Sequence, residues 1–138
     1  MKESREFSCH PICRGRAGGP VLISGADICF YLCEPETGKV IEKGHPLEGE
    51  SVGGKILVFP GGKGSSVVQA DGLYQLAMKG NAPKALVIQH PDTVLVTSAI
   101  IMDIPLVDRV DPGFYQNVKN NDHVLVDAQE GRLIINRD

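Results

Sequence analysis

Residues 55–80 limit what this chain can fold into more than any other stretch. Lys-Ile-Leu-Val-Phe at 55–59 is a short apolar run rich in β-formers, and Pro60-Gly61-Gly62 stops it. Proline cannot donate to a ladder, and glycine tolerates positive φ, so a tight turn must follow. Beyond it, Ser65 or Ser66 can cap a helix running to about Lys79. Val67, Ala70, Leu73, Tyr74 and Ala77 fall at helical spacing, and Gly80 suits the left-handed position after a helix end. Gly72 weakens that helix slightly. The segment reads as strand, glycine turn and helix.

The turn has chemical potential because a helix N-terminus presents unpaired N–H groups and partial positive charge, which hold an anion or favour the ionised form of a group placed there. Ser65 stands at that point. Gly61, Gly62 and Gly64 let a ligand or another backbone approach closely, and Lys63 supplies a mobile cation beside the hydroxyls of Ser65 and Ser66. The same pattern also builds ordinary βα units in which the serine only caps the helix. Two phosphate-binding templates fail. Lys63 is followed by Gly64, not by the serine or threonine of a P-loop, and Val67 stands where a dinucleotide fingerprint needs its third glycine.

On either side, residues 7–13 and 20–24 read as strands around a basic glycine turn, Arg14 to Gly19, whose Arg14 and Arg16 are either anion-binding or simply solvated. Asp27 to Cys33 is a second apolar stretch, closed by the turn Glu34-Pro-Glu-Thr-Gly38. Lys39 to Ile41 reads as a brief edge strand, and His45-Pro46 opens a polar loop in which a histidine is ordinarily solvated. Past the helix come a buried strand at 84–89, strands at 93–97 and 104–107, and a short helix from Asp111-Pro112 to about Lys119. A hairpin, 123–127 and 132–135, ends the chain. Strands with two helices inserted among them predict an α/β sheet or partly closed barrel.

A chain of 138 residues is expected to form one domain, 1–138, with a real core. Its net charge of −3, dispersed cations and few aromatics argue against a nucleic-acid surface. No apolar run reaches the ~20 residues of a membrane span, and the charged start Met1 to Glu6 does not resemble a secretory signal, so a cytoplasmic location is expected. Cys9 and Cys13, and Cys29 and Cys33, are paired by spacing. Residues four apart in a strand lie ~13 Å apart, too far to share one ion without a bend, so buried free thiols are expected and no metal site in this chain. His10 would face away from Cys9.

Gly44-His-Pro-Leu-Glu-Gly-Glu-Ser-Val52, the run Lys55 to Ser66, Ala82-Pro83-Lys84-Ala85-Leu86 and Ile104-Pro-Leu-Val107 together resemble the small subunit of the aconitase X family. The likeness spans about residues 9–110 and is most specific at 57–66. It implies the swivelling β/β/α domain of aconitases and isopropylmalate isomerases, acting in a hydro-lyase whose separate large subunit carries an iron or iron–sulfur centre. Family members dehydrate phosphomevalonate or cis-3-hydroxy-L-proline.

The resemblance makes Ser65, the first serine of the family's Gly-Ser-Ser or Gly-Ser-Thr turn, the base that removes a carbon-bound proton. Gly62, Lys63, Gly64 and Ser66 become its local support, and Arg14 and Arg16 match a family basic turn that holds a carboxylate or phosphate. Its implied partners are the large subunit and a small hydroxy acid. Three positions depart from the pattern. Cys29-Phe-Tyr-Leu-Cys-Glu34 replaces a flexible glycine pair by bulky residues, Ser98 stands for a usual glycine, and Val67 stands where aconitases place a substrate-binding arginine, which disfavours a tricarboxylic substrate. A degenerate subunit that only docks or regulates is the alternative. A phosphohistidine carrier is not, because the glycine turn has no histidine.

Overall fold

A computed structural model describes residues 3–137, so Met1 and Lys2, part of the charged start, lie outside it. Eight strands, β1 (Glu3–Ser8), β2 (His10–Cys13), β3 (Arg16–Ile23), β4 (Ile56–Val58), β5 (Ala85–Val87), β6 (Leu106–Asp108), β7 (His123–Asp127) and β8 (Arg132–Arg137), form one mixed sheet. Its order is β1-β8-β7-β3-β4-β5-β6-β2. The four central strands β3 to β6 are parallel, and the flanking strands pair antiparallel. Helices α1 (Ser66–Met78), α2 (Thr93–Met102) and α3 (Pro112–Asn117), with a 3-10 turn at Phe30–Leu32, lie in the connections. The class is the α/β fold the pattern predicts.

The central strands are buried on both faces, and alternation along each one divides the core. Ile56 and Val58 of β4 join Val21, Val87, Val107 and Phe114, whereas Leu57 joins Leu22, Leu86, Leu106 and Leu73 on the side of α1 and α2. A slip of one residue would exchange the two sets, so even three-residue strands are fixed in register. Cys9 alone separates β1 from β2, yet these strands occupy opposite margins of the sheet. One bent strand therefore touches both edges, and the sheet curls to let it.

Several sequence expectations need correction. Thr93 to Thr97 is the first half of α2, not a strand. Asp92 caps it, accepting from Leu95 N at 2.9 Å, and Leu95, Ser98 and Ala99 are buried. Helix propensity of β-branched residues is only modestly lower, and the cap plus burial outweigh it. The connection also demands a helix, because parallel neighbours β5 and β6 need a crossover. The basic glycine turn shrinks to Arg14-Gly15, since Arg16 already starts β3 and Gly18 and Gly19 pair with Leu125 and Val124. Residues 7–13 divide at Cys9, and 39–41 make only isolated bridges. His45 is 7% exposed: Nε2–H donates to Asp27 O at 2.9 Å, and Nδ1 accepts from Leu47 N at 3.0 Å. That pair of bonds engages both ring nitrogens and makes the side chain a staple of its loop, not a solvated histidine.

Candidate active site at the glycine turn

Ser65 is the N-cap of α1, with φ −68° and ψ 164°. Its Oγ accepts from Val68 N at 3.4 Å, a long bond that holds the hydroxyl loosely. Ser65 and Ser66 are exposed, and the first turn contains no acidic residue to neutralise the positive end of the helix. The first-turn N–H groups have no backbone partner within the helix, so charge placed on Ser65 Oγ meets the Val68 N–H and the positive end of the helix.

The glycines before it are required by crowding and by backbone angle. Gly64 has φ +109°, a region that side chains rarely adopt, and the point where its Cβ would stand is 3.3 Å from Cys29 Sγ. A Cβ on Gly62 would overlap Gln69 Oε1. Lys63 is held differently from the sequence reading. Its Nζ forms an ion pair with Glu42 at 2.7 Å, so its charge is engaged away from the two hydroxyls.

The turn lies at the carboxyl end of β4, the end of a parallel sheet where open α/β folds bind ligands. Ser24, His90 and Arg109 follow β3, β5 and β6 and occupy the same end. Arg109 is exposed, has φ +47° and has no ion-pair partner among the described residues. A depression of about 170 Å³ lined by Ile23, Ser24, Val58, Pro60, Gln89 and Tyr115 opens between these ends. Arg14 and Arg16 are elsewhere. Both sit at the amino end of the parallel strands, where Arg16 binds the buried Asp127 at 3.2 Å, and seven residues of β3 at ~3.3 Å each separate it from the carboxyl end. The structure brings together Gly62, Lys63, Gly64, Ser65 and Ser66, and leaves both arginines out.

The cysteines are free, with Cys13, Cys29 and Cys33 buried and Cys9 half-buried. Burial, followed by Cys29 and Glu42, pushes the Cys33 thiol up to about 12, and burial with Asp127 and Asp108 pushes Cys9 to about 11. Such thiols do not ionise near neutrality and make poor metal ligands. Among the described residues no group of three or more His, Cys, Asp or Glu could hold a metal ion.

A curled mixed sheet that delivers one serine-capped helix start to the carboxyl ends of its parallel strands is a swivelling β/β/α domain. Residues 6–135 match the family described as the aconitase X swivel domain, and the chain belongs to that family. It is 45% identical over 123 residues to the phosphomevalonate dehydratase small subunit of Methanocella arvoryzae, covering 88% of this chain and 92% of that one. Identity to the protein of the same name from Methanothrix thermoacetophila is 41% over 131 residues, 94% of each chain. In three dimensions it is similar to the crystal structure of Thermococcus kodakaraensis aconitase X in its holo-form, with TM-score 0.85, 39% identity and coverage of 95% and 98%.

Proposed function

We propose that this chain is the small subunit of an aconitase X-type dehydratase and supplies the serine base that takes a proton from carbon. The observation that carries the reading is the position of Ser65, exposed at the unneutralised start of a 13-residue helix and at the ligand-binding end of the sheet. An unperturbed serine is far too weak an acid to serve as a base near neutrality. Unpaired N–H groups of the first turn and the helix end stabilise its anion, which is the way such a site brings the base within reach. Ser65 Oγ then receives the carbon-bound proton, and the electron pair left on carbon forms the double bond as the hydroxide departs.

The iron or iron–sulfur centre belongs, in this reading, to a large subunit. Support for a partner also comes from the surface beside the turn. Val67, Tyr74 and Met78 of α1 and Ile100 and Ile101 of α2 are exposed, Val67 by 77%, an apolar row that isolated domains seldom leave open. The substrate is a small hydroxy acid. The relatives' names favour phosphomevalonate over cis-3-hydroxy-L-proline, and the exposure of Arg109 beyond β6 supports it, ahead of Arg14 and Arg16, as the residue that meets the anion.

Co-purification with the large subunit from the native host, with iron and sulfide assayed on the complex and both substrates tried, tests this reading. A stoichiometric iron-bearing partner and dehydration of phosphomevalonate are expected. Ser65→Ala should lower kcat by at least ~10³-fold with assembly intact. Since Oγ also caps α1, Ser65→Asn is the sharper variant: it keeps a cap and removes the base. Full activity in Ser65→Asn would reduce Ser65 to a cap and this chain to a docking module.

A further inference from the structure

Gln69 grips the serine turn from inside the fold. Its backbone N–H donates to Ser65 O at 2.9 Å and its side-chain Nε2 donates to Gly64 O at 3.0 Å, so one residue fixes two successive carbonyls. The residue is 8% exposed. Reversing the amide would set two carbonyl oxygens against each other, so Gly64 decides which end carries nitrogen. Oε1 is then buried with no donor among the described residues. It faces Gly62, and Asp92 Oδ2 lies 3.7 Å from the point where a Gly62 Cβ would stand.

This is a costly way to fill the space. A buried carbonyl without a donor loses more than an ordinary hydrogen bond returns, and a leucine of similar volume would avoid the loss. Leucine would not orient the Gly64–Ser65 peptide. In a trans peptide the C=O and N–H point in opposite directions, and no peptide among the described residues is cis. Drawing Gly64 O inward to Gln69 therefore turns Ser65 N–H outward, toward the open side of the helix start.

Building on the reading of Ser65 as base, we propose that Gln69 is a positioning residue, which holds the Gly64–Ser65 peptide so that Ser65 N–H and Oγ keep the arrangement that stabilises the serine anion. Its neutrality matters as well as its shape. A glutamate would fit the same space, lose the donor to Gly64 O and add negative charge close to the anion.

The complex with the large subunit is the system to test, assayed for dehydration in Gln69→Leu, Gln69→Glu, Ser65→Ala and the double variant Gln69→Leu/Ser65→Ala. Gln69→Leu should lower kcat ~10- to 100-fold with KM changed less than ~3-fold and assembly unchanged. Gln69→Glu should be slower still, with its kcat–pH profile displaced to higher pH. The double variant should be no slower than Ser65→Ala alone, because Gln69 acts through Ser65. Unchanged kcat in Gln69→Leu beside an inactive Ser65→Ala overturns the positioning role alone, as does a further ~10-fold loss in the double variant. Activity retained by Ser65→Ala overturns the base reading and this inference with it. Should Gln69→Leu not assemble, the Gln69→Glu profile decides, and an unmoved profile overturns the proposal.

Discussion

Single residues in this chain change meaning with the partner they find. Lys63 reads in sequence as a free cation beside two hydroxyls, but Glu42 takes it at 2.7 Å. Arg16 reads as either anion-binding or solvated, and in the fold it is one of the cations that compensate buried Asp127, shared with Arg132. Arg109, unmarked in sequence, stands exposed at the carboxyl end of the parallel strands. Substitution separates these roles. Arg109→Ala should raise KM for the anionic substrate ~10-fold or more, the worth of one charge-assisted hydrogen bond, whereas Arg16→Ala should leave KM unchanged and lower stability, as steady-state kinetics and urea titration would record. The cysteines can be tested by alkylation. Native protein at neutral pH should resist iodoacetamide at Cys13, Cys29 and Cys33 and react at all four sites once unfolded, with mass spectrometry locating the labels.

At the scale of elements, the strand, turn and helix of 55–80 were readable because their signals are local: a proline-glycine stop, a serine cap and helical spacing. The helix falls at Ser66–Met78, and the hairpin strand at 123–127 also matches. α2 was not readable in the same way, since Thr93 to Thr97 is mostly β-branched and the Asp92 cap competes with a strong β propensity. Only the demand for a crossover between two parallel strands reveals the helix, and that is a property of the sheet, not of the segment. Asp92→Ala should therefore lower stability by ~1 kcal/mol in urea titration, the usual loss of a cap. Gln69 stayed hidden for a related reason: at helical spacing it is a polar position on a surface helix, and its burial depends on a loop folding over it. Gly72 looks like a flaw in α1 and is a requirement. A Cβ there would overlap the backbone of Phe30 and Tyr31, so the 3-10 turn lies directly on the helix. Gly72→Ala should destabilise the protein although alanine is the better helix former; a thermal melt that rises would show that the contact can yield.

For the whole molecule, pH works on two different sets of groups. Arg137 holds the Asp122 carboxyl below its ordinary range, and for Asp127 the pull of burial upward is outweighed by the Glu130 N–H, Arg132 and Arg16, which hold it low. Depressed carboxyls contribute stability that is present above the ordinary carboxylate pKa and is lost as pH falls through the folded value. Cys33 acts in the opposite direction. Its contribution is full below pH about 9, the ordinary thiol value, and is lost as pH rises toward about 12. Urea midpoints should fall at both extremes, with Asp127→Asn flattening the acid limb and Cys33→Ala the alkaline one.

The strand that bends at Cys9 has a consequence for how such a chain comes into being. Glu3 pairs with Arg137 and Ser8 with Arg132, contacts between residues more than a hundred positions apart, so on a ribosome β1 emerges long before its partner β8. The parallel centre can assemble first, while β1 waits as an exposed ribbon. Contacts so distant in sequence slow folding, and during that delay β1 is free to pair with a neighbouring chain instead of its own. Synthesis rate and crowding of nascent chains then bear on how much of it reaches the native form.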